Sequence, residues 1–460
     1  MKKLHCLLPL LAAALLFAGC TSHPASAGPQ SDVSAATGET ASAEPSPSAP
    51  PVLRELTTCA NGYYYLWSTI DETGQVFLTT VDLNDGQQRV LCSKPGCSHS
   101  DESCWAYTLP DRTGRPSAWE VYTDGNLLYF IYLTDYQHFG MDGAQPESAI
   151  CITDLTGPTR PLPEMAAQSP NYCGNFLQDG AYLDGHWFTD GETLWALITS
   201  NPHNEANEQT FATTLYHFVP APEGAAAPYT AEVVWRQIRD GFANYAGLLD
   251  GQIVLQLEYP GPDTGSLADN YKLSTSELRV LSCDGTLGEP LLTFLNGDWL
   301  GASLLDGQRY AVPANSTDLI VTDLRTGDAH TLCTLPIQED VFSVTFQFVY
   351  EGRLVVDVSQ NAGDTRYVID TATGALTTLP TTWAKDGVVP RVPVFCQIAQ
   401  DRCLMLVGTQ DRMLTTMGQD GGTSTFYSPL SVYAVADLGD YLNGDQNWQI
   451  CSLLDPDTVL

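Results

Sequence analysis

The stretches YTDGNLLYF (122–130) and FTDGETLWAL (188–197) decide the fold, because each sets Asp-Gly between apolar, aromatic-rich runs. Asp-Gly in that setting is a strong hairpin signal, since the tight turns that match strand twist need positive φ. Five looser copies share the pattern: CANGYYYLW (59–67), LLDGQIVLQL (248–257), LLDGQRYAV (304–312), VYEGRLVVDV (349–358) and AQDRCLMLVG (399–408). The second turn residue falls at Gly62, Gly125, Gly191, Gly251, Gly307, Gly352 and Arg402. Most copies are followed by a second turn signal, as in VDLNDG (81–86), TDLTG (153–157), TDLRTG (322–327) and IDTATG (369–374).

Two hairpins in every 45–65 residues make a four-stranded antiparallel unit, and seven such units in series predict an all-β protein, a β-propeller. Six and eight blades are the neighbouring counts. A pair of β-sandwiches would share these turns but would need no common period. Long helix-period segments are absent.

Naming the strands of each unit A to D puts the A–B and C–D turns on one face and the B–C and D–A connections on the other. The long connections fall on that second face. They are 134–148, 200–213 and 258–275 between strands B and C of blades 2, 3 and 4, and 93–117 after blade 1. Long loops in compact domains usually carry function. The side chains expected to line a binding face there are Trp105, Tyr136, His138, His203, Asn204, Tyr259 and Tyr271.

The chain opens MKKLHCLLPLLAAALLFAGC, with Lys2 and Lys3 ahead of an apolar run and small residues before Cys20. That is a signal-peptide pattern (1–19) ending in a lipobox-like F-A-G-C, in which Phe17 stands where Leu is usual. Lipidation at Cys20 would place the protein on the extracytoplasmic side of a cell membrane, held by its lipid anchor. Residues 20–52 then read as a stalk: 25 of the 32 positions 21–52 are Ser, Thr, Ala, Pro or Gly, too few apolar groups to offset the entropy of ordering. The propeller takes 53–460.

The full chain carries net charge −34; without Lys2 and Lys3 it has 18 basic and 54 acidic side chains, net −36. Such a surface repels nucleic acid and anionic lipid, which leaves cations, neutral glycans, basic peptides or other proteins as partners.

The most specific local feature is Cys92-Ser-Lys-Pro-Gly-Cys97-Ser-His99-Ser-Asp-Glu-Ser-Cys104. Three thiols and an imidazole suit a tetrahedral zinc ion, although C-x4-C-x-H-x4-C is not a common zinc spacing. Outside the cytoplasm a disulfide is the default; Cys97–Cys104 closes a small loop and is the preferred bridge, with Cys92 or Cys173 as other partners. Reduced thiols are the third reading. Cys283, Cys333 and Cys396 read as small core residues in strands.

No G-x-S-x-G elbow, H-E-x-x-H pair or phosphate loop occurs, so no catalytic residue or cofactor is expected beyond the zinc alternative. The Cys/His segment, the lipobox, the stalk and a closing ADLGDYLNGDQNWQI (436–450) together resemble a group of uncharacterised Gram-positive lipoproteins described as TolB-like or domain-of-unknown-function β-propellers. The resemblance implies a propeller of six to eight blades outside the membrane and transfers no activity. The expected function is therefore a membrane-anchored binding module that meets a protein or glycan through its loop-rich face. The alternatives are a structural part of a cell-envelope assembly, or a carbohydrate-active hydrolase or lyase in the propeller funnel.

Overall fold

The computed structural model describes residues 51–69, 76–100, 102–108, 119–133, 148–161, 164–165, 172–177, 181–201, 210–337, 341–361, 363–381, 383, 385, 387–399, 401–417 and 423–451. It is a β-propeller of seven blades. The A strands are Cys59–Ala60, Trp119–Thr123, Ala181–Thr189, Ala243–Leu249, Trp299–Leu305, Val341–Tyr350 and Val389–Ala399, each paired antiparallel with the strand that follows. Six blades have four strand positions. In blade 2 the described residues give three strands, ending with Ser148–Asp154.

The Asp-Gly turns split into two kinds, and the preceding residue separates them. In blades 1, 4, 5 and 6 both turn residues have positive φ, as in Asp250 (51°) and Gly251 (72°). In blades 2 and 3 only the glycine does, and the residue before Asp is a buried Thr. The Thr123 and Thr189 hydroxyls accept the N–H of Gly125 and Gly191 at 3.0 and 2.9 Å. Asp190 Oδ1 in turn accepts the N–H groups of Glu192 and Thr193, and its Oδ2 accepts the ring N–H of the buried Trp195. A side chain supplies bonds that the backbone turn would otherwise have to make.

The core is not one mass but seven apolar seams, each between neighbouring blades. The seam of Val81 and Leu83 with Leu404, Val435 and Cys451 joins blade 7 to blade 1 and closes the ring. Several of the C–D turn glycines fit these seams. A Cβ on Gly374 would lie 2.2 Å from the Leu332 carbonyl oxygen on strand D of blade 5, and one on Gly285 2.4 Å from that of Val234 on strand D of blade 3. Gly86 of blade 1 sits in the same way beside Ile450 and Cys451 of blade 7. Arg402, the one turn copy without glycine, sends its guanidinium to the carbonyls of Leu83 and Asn84 across that closing seam.

Before it enters blade 1, the chain crosses three other blades. Leu53 N–H bonds to Gly251 O in blade 4, Arg54–Glu55 pairs with strand A of blade 3, and Thr57 pairs with Thr123 of blade 2. Leu53 is fully buried in the seam between blades 3 and 4. No N-terminal strand completes blade 7; among the described residues its four strands all come from the C-terminal part of the chain.

Gly374 and Gly327 stand in equivalent turns with φ of 72° and 77°, but a Cβ on Gly327 would meet nothing within 4 Å. Gly327→Ala should therefore cost about 1 kcal/mol, from left-handed strain alone, and Gly374→Ala about 3 kcal/mol. Chemical denaturation of the two variants checks this, and equal losses would mean that the seating of the turn on the next blade is unimportant.

Burial works against ionisation of Asp190, but the N–H groups of Thr193 and Glu192, the Trp195 ring and the Thr193 hydroxyl outweigh it and hold the carboxyl below its ordinary range. The unfolded chain thus binds this proton more tightly, and stability rises with pH through the acid range. The contribution is complete above about pH 5 and is lost as pH falls through about 3.9 toward the lower folded value. Asp190→Asn should remove that part of the acid-side decline, read from the pH dependence of urea unfolding.

Candidate functional site

Strand D of blade 1 is broken in two. Gln88–Val90 pairs with the lower part of strand C, and Tyr107–Thr108 returns to pair with Val76 and Phe77 at its upper end. Leu78 is the meeting point: its carbonyl accepts the N–H of Leu91 and its N–H bonds to Ala106 O, at 2.9 and 2.8 Å. The sequence pattern puts residues 93–117 in a D–A connection on the loop-rich face. Instead, residues 91–106 form an excursion inside the outer strand, at the rim between blades 1 and 2.

The excursion is shaped locally. Lys94-Pro95-Gly96-Cys97 turns back with Cys97 N–H on Lys94 O at 3.3 Å and Gly96 at φ 69°, which glycine after proline supports. His99 takes φ 52°, unusual for a residue with a Cβ, and its side chain is buried with Nδ1 3.3 Å from Cys104 Sγ. Lys94 Nζ donates to Ser103 O, tying the two arms together. Outside the loop, Ser93 donates to Pro158 O at 3.1 Å in the C–D turn of blade 2.

These turns bring Cys92, Cys97, His99 and Cys104 together, with one ligand atom from each lying within 4.8 Å of all the others. All the cysteines of the described residues are free thiols. The Cys92 thiol is drawn well below its ordinary value, first by the Cys104 thiol that donates to it and then, against burial, by the N–H groups of Lys94 and Trp105 and the Cys97 thiol. Cys104, as donor to Cys92 and itself buried, is pushed up in return. Elsewhere burial alone acts on Cys59 and Cys173, and raises both to about 12. Cys173 lies in the seam between blades 2 and 3 and takes no part in the cluster.

The expected binding-face residues separate. Tyr259 ends strand B of blade 4, exposed, with its hydroxyl on Glu277 and the Arg239 guanidinium 4.4 Å from its ring. Tyr271 is exposed on the short helix Leu267–Lys272 of the same B–C connection. Trp105 is half-buried in the Cys/His excursion, where its backbone N–H serves Cys92. Cys20, Tyr136, His138, His203 and Asn204 lie outside the described residues.

Sequence reasoning missed two features. One is the B–C hairpin of blade 7, whose strands Arg402–Met417 and Thr423–Asp437 stay paired, with one register shift between Leu406 and Gly408, up to Met417 and Thr423. Strand B there has 16 residues against 8 in blade 4, an extension of about 25 Å on the loop face. The run QDGG (419–422) between two long polar-apolar stretches was its signal.

The other is a polar inner wall on the A strands of blades 2 to 4. Glu120 accepts from Tyr122 and Tyr182 at 3.0 and 3.3 Å; Asp184 meets His186 at 3.2 Å; His186 lies against Tyr245, whose hydroxyl donates to Glu55. Burial raises Glu120, whereas the hydrogen bond and charge of His186 and the Gly185 N–H, against burial, leave Asp184 lowered. Two carboxylates with divergent protonation are what a hydrolase or lyase in the funnel would draw on, but each is engaged within the wall. Polar residues at every second position of an inner strand, Glu120 and Tyr122 or Tyr182, Asp184 and His186, were the available signal.

No family model matches the chain, and no curated protein matches it. Among solved structures it is similar to prolyl oligopeptidase B from Galerina marginata bound to a 35mer hydrolysis and macrocyclization substrate, at 14% identity over 89% of this chain and 52% of that one, with a TM-score of 0.47. It is also similar to uncomplexed Pyrococcus horikoshii acylaminoacyl peptidase, at 14% identity over 85% and 53%, TM-score 0.43. The chain spans about half the length of these structures. At such identity and superposition no catalytic residue or substrate carries across.

In reduced, chelator-treated protein at about pH 7, iodoacetamide should modify Cys92 ahead of Cys59 and Cys173, because the thiolate is the nucleophile. Peptide mapping of a time course checks the order; Cys59 or Cys173 reacting as fast would contradict it.

Proposed function

We propose that this protein is a lipid-anchored, extracytoplasmic interaction module that engages a protein or glycan partner through the loop-rich face of its propeller. The observation that carries the reading is where exposed large apolar side chains gather. In an antiparallel blade the ends of strands B and D and the starts of A and C share one face. Ile238, Tyr259, Tyr271, Leu295, Phe342 and Val389 all stand at such positions or in the connections between them. The opposite face has Tyr63 and Leu127 at the starts of strand B, and Val52 beside the Gly251 turn.

Aromatic and aliphatic side chains set among polar loops are the composition of a recognition surface, with Tyr over-represented where binding energy concentrates. The strongly acidic balance disfavours nucleic acid as the partner. Anchoring through Cys20, and a stalk of about 30 residues, would leave that face free above a membrane. Among the described residues no helix is long and apolar enough to cross a membrane, consistent with attachment through lipid.

The test places a photo-crosslinking residue at Tyr271 or Phe342 on the loop face, and at Tyr63 or Leu127 on the turn face, in protein displayed in its own envelope. The same adduct from both loop-face positions, and none from the turn face, is the expected result. Adducts from the turn face alone, or equally from both, would reject the loop face as the recognition surface.

A further inference from the structure

We infer that Cys92, Cys97, His99 and Cys104 form a closed tetrahedral zinc site that clasps the interrupted outer strand of blade 1. The site is independent of the loop face, because it sits at the rim of the propeller between blades 1 and 2.

Four observations converge on it. The ligand atoms already lie within 4.8 Å of one another. Zinc–sulfur bonds of about 2.3 Å and zinc–nitrogen bonds of about 2.0–2.1 Å put neighbouring donors about 3.5–3.8 Å apart, so the set closes on an ion by movements of about 1 Å. Second, Cys92 and Cys104 each accept a backbone N–H from the residue two places on, Lys94 and Ala106. Backbone N–H groups aimed at the two sulfurs hold them in place as ligands. Third, His99 holds a left-handed backbone conformation and a buried ring whose Nδ1 points at Cys104. Any single disulfide would leave one thiol and this imidazole unused inside the cluster.

The fourth observation gives the site a purpose. Cys92 stands two residues after the first half of the broken strand, and Cys104 three residues before the second half. Leu78 receives both halves. An ion joining Cys92 to Cys104 would close the base of the excursion and hold together two strand fragments, of three and two residues, too short to stay paired by their own ladder. Because Ser93 and Leu91 rest on the Pro158 and Gly157 turn, the clasp also steadies the seam between blades 1 and 2.

The donor set selects the metal. Three thiolates and an imidazole are soft to borderline, suited to zinc and poor for calcium or magnesium. Four protein ligands leave no open position, so the site is structural. All three sulfurs bind as thiolates, which leaves the centre with one net negative charge.

The experiment uses the full chain, purified without chelator, with metal measured by elemental analysis and native mass spectrometry. One zinc per chain is expected, falling below about 0.1 in Cys97→Ser and in His99→Ala, while His99→Cys and the remote Cys283→Ser keep it. Chelator should lower the melting temperature of the wild type and leave that of Cys97→Ser unchanged. Should these variants fail to fold, cobalt exchange into the wild type remains decisive: thiolate-to-cobalt charge-transfer bands are expected. A mass two hydrogens short, mapped to a disulfide within 92–104 and insensitive to chelator, would overturn the proposal. So would stoichiometric metal that survives Cys97→Ser.

Discussion

Neighbouring blades of this propeller meet through backbone as well as through apolar side chains. The tight turn between strands C and D is lowered onto the outer strand of the preceding blade, so closely that the space beside Gly374, Gly285 and Gly157 is already filled by Leu332, Val234 and Leu91. Glycine is needed there twice over, for its positive φ and for the missing Cβ. Where a turn is seated this closely it brings the facing strands near enough to interdigitate, whereas the turn at Gly327 stands clear of blade 4 and that seam is filled by Leu249, Leu304 and Leu324. The seam between blades 7 and 1 obeys the same rule through Gly86, helped by Arg402. Among the described residues the ring closes by packing, without a strand shared between the two ends of the chain.

The N-terminal segment has a different part. It runs across blades 4, 3 and 2 before starting blade 1, and it buries Leu53 and brings Glu55 to Tyr245. A chain tethered through its N-terminus would pull on this strap first. The strap distributes the load over three blades by backbone bonds rather than onto the short strand Cys59–Ala60. The polar inner wall beside it pairs within itself, the half-buried Glu120 with two tyrosines and the exposed Asp184 with His186.

The surface divides its tasks between face and rim. The loop face collects exposed aromatic and aliphatic groups and the projecting hairpin of blade 7. The rim between blades 1 and 2 holds the Cys/His cluster, and there blade 2 shows three strands among the described residues. Cys97, Cys104, Ala106 and Leu91 pack into the seam at that place, together with Met165.

The repeated Asp-Gly and Asp-x-x-Thr-Gly turns were enough to read an all-β chain, seven blades and the two faces, because hairpin geometry is set by the few residues of the turn itself. The same local logic brought Cys92, Cys97, His99 and Cys104 to notice, being confined to thirteen residues. Their position was beyond it. A strand that stops, makes an excursion and resumes looks in sequence like a strand followed by a loop, and only the shared partner Leu78 reveals that Tyr107–Thr108 continues Gln88–Val90. The strap, the inner wall and the seating of glycines on neighbouring carbonyls were likewise settled by tertiary structure. Each joins residues tens to hundreds of positions apart, and no spacing along the chain records which backbone a turn will meet once the ring has closed.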